Sequence, residues 1–121
     1  MNEIQEIEKF LIKEVNIKNE NTFLYKLHYD KIFDKEKFDL LLNSCFCLIE
    51  YYEGKGKTDN SIEIIKGIII LFEHTLFLFY CNQVSSDLYK ILNHKEVLSE
   101  EIIADYYFAM RNVTERALKK M

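Results

Sequence analysis

The stretch GIIILFEHTLFLFYC, residues 67–81, decides how this chain folds. It is almost wholly apolar, yet Glu73 and His74 stand side by side in its middle. A membrane-spanning helix needs about 20 predominantly apolar residues. A carboxylate at mid-bilayer costs about 2.5–3.5 kcal/mol even on the most lenient insertion scale. Glu63 and Lys66 also bound the front of the run. The stretch therefore reads as a helix enclosed by other helices and apolar on nearly every face. Glu63, Lys66 and Glu73 are separated by steps of three and seven, so they share one narrow polar stripe with His74 at its edge.

The rest of the chain supports an all-helical reading. Its 121 residues suit a single domain, residues 1–121. There is no proline and there are three glycines, Gly54, Gly56 and Gly67. A β-rich chain of this size needs many tight turns, and turns draw on Gly and Pro. Twenty acids against sixteen bases give a formal charge of −4. Without a basic patch to neutralise phosphates, direct nucleic-acid binding is disfavoured. Cys45, Cys47 and Cys81 are odd in number and lack the spacing of a disulfide framework. The acidic, amphipathic start MNEIQEIEKF is unlike a signal peptide, so the expected location is the cytoplasm.

Outward from the central stretch, periodicity places the other elements. Ile4, Ile7, Phe10, Leu11 and Val15 predict a helix over residues 2–15. Residues 17–33 are ambiguous, because YKLHYD alternates like a strand, but no second strand exists to pair with it; a short helix is favoured. Residues 35–53 form an amphipathic helix with Phe38, Leu41, Leu42, Cys45, Ile49 and Tyr52 inside. After the loop GKGKTD, Asn60 and Glu63 resemble a capping box that starts the apolar helix, which runs to about residue 82. Ser86 and Asp87 are placed to cap a short helix through Leu92. Ser99, followed by Glu100 and Glu101, opens the last helix, whose inward stripe is Ile103, Tyr106, Tyr107, Met110, Ala117 and Met121. The expected architecture is an antiparallel bundle of four main helices with one or two short ones.

Chemistry-bearing residues are few. Glu73 and His74 are the candidate acid and base of a buried site, but neighbours on a helix point about 100° apart. A structural reading instead pairs Glu73 with Arg111 or Arg116 on the last helix, so that no lone charge is buried. Cys45 and Cys47 fall on opposite sides of one helix, and His28, His74 and His94 lack ligand spacing, so neither a metal nor any other cofactor is expected. No phosphate loop or nucleophile elbow is present. EYYE (residues 50–53) and DYYF (residues 105–108) each set a Tyr pair beside acids. An outward Tyr there suits contact with a basic protein surface.

Arg111 and Asn112, on a helix ending ALKK, resemble the first half of the motif of HEPN-type helical bundles. The histidine that should follow is absent, its positions holding Arg116, Ala117 and Leu118. That resemblance implies the bundle without ribonuclease activity. In size, charge and texture the chain also resembles small acidic bacterial immunity proteins and antitoxins. This resemblance implies a non-catalytic inhibitor that binds a protein, such as a basic nuclease-type toxin domain. Glu96, Glu100, Glu101 and Asp105 would steer the encounter, and Glu50, Tyr51 and Glu53 would add contacts. The alternative is a small enzyme or ligand-binding bundle with a pocket at Glu73 and His74. Dimerisation through a spare apolar face remains open on the sequence.

Overall fold

The computed structural model describes residues 3–121 and is all-helical. Helix α1 spans Glu3–Glu14, and Asn2, the expected start of that helix, lies outside the described residues. The ambiguous segment is helical. Thr22 caps it by accepting a hydrogen bond from the Tyr25 N–H, α2 covers Phe23–Tyr25, and the backbone then widens into a π-helical turn over Lys26–Asp30. Lys31 closes that turn in the left-handed region (φ 59°), its N–H reaching back to the Lys26 carbonyl. The strand-like alternation does not mark one face: Leu27 is buried, whereas Tyr25 is half-buried and Tyr29 exposed, their tilted rings 4.6 Å apart between centroids.

Helix α3, Lys35–Lys55, is capped by Asp34, whose carboxylate accepts from the Lys37 N–H. All six residues of its expected inner stripe are buried. It ends at Gly56, whose φ of 93° suits glycine. Helix α4, Ser61–Gln83, contains the apolar stretch. The expected capping box does not form, for the Asn60 side chain makes no capping bond; Ser61 instead donates its hydroxyl to the Thr58 carbonyl.

No helix forms over residues 86–92. Asp87 accepts from the Tyr89 N–H, while the Ile91 and Leu92 N–H groups go to the Asn82 side chain and the Lys31 carbonyl. With those donors committed to side-chain and distant acceptors, a helical ladder there would lose three of its N–H groups. The short helix α5 comes later, at His94–Val97. Helix α6, Glu100–Leu118, starts as expected with Ser99 accepting from the Ile102 N–H. Its inward face is Tyr106, Met110, Val113 and Ala117, whereas Tyr107 and Met121 of the expected stripe are exposed.

Packing follows a ring. Helix α1 lies against α3 and α4, and α6 lies against the same two. The core holds a cluster of Phe23, Phe33, Phe38, Phe79 and Tyr106, with ring centroids 4.8–5.7 Å apart. Gly67 permits α4 to approach the end of α1, since a methyl group there would stand 2.9 Å from three Val15 side-chain carbons.

This arrangement corrects one expectation that matters most. Helix α4 is not enclosed on every side. Ile64, Ile65, Ile68, Leu71, Phe72, Leu78 and Phe79 are buried, but Ile70, Phe77 and Tyr80 are 64%, 60% and 64% exposed. The helix is long and apolar enough by composition to cross a membrane; here one side of it is packed on α1 and α6 and the other is bare.

Candidate functional site

Glu73 and His74 diverge, as the 100° step per residue requires. Glu73 is exposed and faces the seam between α4 and α6. His74 turns the other way and meets His28 of the π-helical turn, with Nε2 and Nδ1 2.9 Å apart and the rings near perpendicular. Burial, and then the charge of His28, push the His74 imidazole below its ordinary pKa. The acid and the imidazole therefore do not share one pocket. Nor does Glu73 pair with the expected bases. Arg111 donates to Glu115 (2.8 Å) and to the Tyr107 hydroxyl (3.3 Å), while Arg116 grips Glu53 through two bonds of 3.1 and 2.6 Å. Those bonds hold the Glu53 carboxyl below its usual range.

The buried carboxylates lie elsewhere and are structural. Glu8 accepts hydrogen bonds from the Tyr52 hydroxyl at 2.6 Å and from Thr58. Glu14 accepts the Phe23 N–H at 2.9 Å through Oε1. Its Oε2 lies 3.2 Å from Lys37 Nζ but outside hydrogen-bonding alignment, so the ammonium supplies charge there and not a directed bond. The carboxylate of Asp39, which is only partly buried, accepts from Tyr106 at 2.7 Å, and burial of the ring, with that bond, lifts the Tyr106 hydroxyl to about 12. Burial likewise raises the Cys45 thiol out of its reactive range. Among the described residues no three His, Cys, Asp or Glu side chains are grouped for a metal ion.

The residues expected to contact a partner do not form one patch. Glu50, Glu53, Glu96, Glu100, Glu101 and Asp105 are all exposed and Tyr51 is half-buried. However, Glu53 is tied to Arg116 in the last turn of α6, whereas Glu100 and Glu101 lie in its first turn. A 19-residue helix separates those ends by about 27 Å.

A different surface is continuous. Along the seam of α4 and α6 runs an apolar trough of about 520 Å³ whose walls include Leu76, Tyr80, Ile103, Ala104 and Phe108. It continues into a second hollow of about 310 Å³ that includes Ile69, Glu73, Met110 and Arg111. On its α4 side Ile69, Glu73, Leu76, Tyr80 and Gln83 follow steps of three and four and so form one row, while the exposed Ile70 and Phe77 lie outside the trough. Phe108, 65% exposed, stands on the α6 side. An apolar patch of this kind, rimmed by charge, marks an interaction surface in soluble proteins. Sequence reasoning assigned Phe77 and Tyr80 to a buried helix because apolar residues fill that helix all round. His28 was legible only as an isolated histidine.

No family model, curated protein or solved structure matches the chain. What the fold and site define is thus a class by physics alone: an all-helical domain with a bare, aromatic-lined seam.

Proposed function

We propose that this chain is a non-catalytic protein-binding domain that inhibits its partner by covering it. The observation that carries the reading is the apolar trough lined by Leu76 and Tyr80 of α4 and by Ile103 and Phe108 of α6, with the Tyr80 and Phe108 rings mostly in water. Leaving such rings in water is unfavourable, and association with a complementary surface relieves it. The four long helices act as an antiparallel bundle that holds the two walls of the seam rigid. The resemblance to bacterial immunity proteins and antitoxins gives the reading its specific form: a cytoplasmic protein that neutralises a basic, nuclease-type toxin. The acids Glu100, Glu101 and Asp105 at the start of α6, with Glu96 in α5, speed that encounter, and the rings beside them anchor it.

Affinity capture from the native host tests this. Wild-type chain retains a protein whose activity is suppressed in the complex, and Phe108→Glu, still folded, releases it. Turnover by the isolated chain that Glu73→Gln or His74→Ala abolishes would instead establish the enzyme reading.

A further inference from the structure

We infer that the occupant of the α4–α6 seam is a single basic amphipathic helix of about four turns, presented by a partner protein. The inference rests on the protein-binding reading above and specifies what fills the surface.

Shape gives the first argument. From Ile69 to Gln83 the trough follows α4 for fifteen residues, a rise of about 21 Å. Its floor is the cleft between two helices, and a third helix seats against both by ridge-in-groove packing. Charge gives the second. The charged groups lining the trough are Glu73, Glu100, Glu115 and Arg111. Arg111 and Glu115 neutralise each other through their 2.8 Å bond. Glu73 and Glu100 remain, so the trough carries two uncompensated carboxylates beside its apolar walls. Cations flanking an apolar stripe complement that pattern. A second copy of this chain does not, because face-to-face copies would bring four such carboxylates to one interface. Anionic lipid is repelled on the same ground.

The test uses the full chain and two fluorescein-labelled 15-residue peptides, with binding followed by anisotropy. Both carry Leu or Phe at helical i, i+3, i+7 and i+11 positions; one fills the other positions with Lys and Ala, its isomer with Glu and Ala. The Lys peptide is expected to bind saturably and at least about tenfold more tightly than the Glu isomer. Phe108→Glu is expected to weaken it by about tenfold or more, as the loss of a central aromatic anchor does. That variant adds an acid, so attachment by charge alone would strengthen instead, which separates docking in the trough from adsorption. Should Phe108→Glu lose its helical signal, Tyr80→Ser serves, since Tyr80 lines the same trough and is also mostly exposed. Glu73→Gln combined with Glu100→Gln weakens binding severalfold and flattens its salt dependence.

Equal binding of the two peptides, no saturable binding, a sedimentation dimer abolished by Phe108→Glu, or partition of the chain onto phosphatidylcholine–phosphatidylglycerol vesicles each overturns the inference. If a host protein is still captured through Phe108 while the peptides are not discriminated, the docking face stands and the basic helix falls. If both fail, the face itself falls.

Discussion

His28 and His74, 46 residues apart in sequence, share a hydrogen bond of 2.9 Å that ties the π-helical turn to α4. One ring donates and the other must be neutral to accept. The folded-state pKa of His74 is depressed by burial and by the charge of His28. In the unfolded chain it returns to about 6.5. Below that value the unfolded state binds a proton that the folded state resists, so stability falls as pH drops from about 6.5 toward the folded pKa. Urea melts at pH 7.5, 6.5 and 5.5 should show a declining midpoint, and His74→Gln should reduce the decline. An unchanged slope in that variant would place the sensitivity elsewhere.

Gly67 and Val15 should show a reversal of sign. Alanine in place of glycine within a helix gains about 1 kcal/mol. At Gly67 the added methyl meets the rigid, branched Val15 side chain at 2.9 Å, and overpacking costs about 1–3 kcal/mol. Gly67→Ala alone should therefore lower stability. In a Val15→Gly background, where all three of those carbons are gone, the same change should raise it, and a double-mutant cycle by chemical denaturation measures the coupling.

Glu8 should matter through the groups it leaves behind. Its carboxylate receives both the Tyr52 and Thr58 hydroxyls beneath α1. Glu8→Ala strands the buried Tyr52 hydroxyl, which costs about 1–3 kcal/mol. Adding Tyr52→Phe to that variant should recover part of the loss, because the orphaned donor is then gone. Thermal melts of the three variants decide the point.

Phe77→Ser and Phe108→Glu should leave the melting temperature within a degree or two of wild type, because both rings already lie mostly in water. Leu41→Ala, at a fully buried position of α3, should cost about 2–5 kcal/mol. Scanning calorimetry of the three distinguishes a side chain kept for contact from one kept for packing.

Much of the fold was legible in the sequence because the signals were local. Ser99 stands where a cap is needed, and the Phe38 to Tyr52 stripe of α3 repeats at helical spacing. The helix over 86–92 misled because its fate depended on Asn82 and Lys31, two acceptors brought in by tertiary structure. The candidate site was legible only in part. Glu100 was expected in a contact surface and does line the trough, and Glu73 was singled out but for a buried role. Phe77, Tyr80 and Phe108 escaped because a helix apolar all round does not say which neighbours it has. Only the ring in which α4 meets α1 and α6 leaves that row uncovered.

The most direct test of the account is a ¹H–¹⁵N correlation titration of the full chain with the basic helical peptide or with a captured partner. The account predicts shift changes concentrated at residues 69–83 of α4 and 100–115 of α6, with little at Glu50, Tyr51 and Glu53. Changes centred on α3, or around His28 and His74, would contradict it.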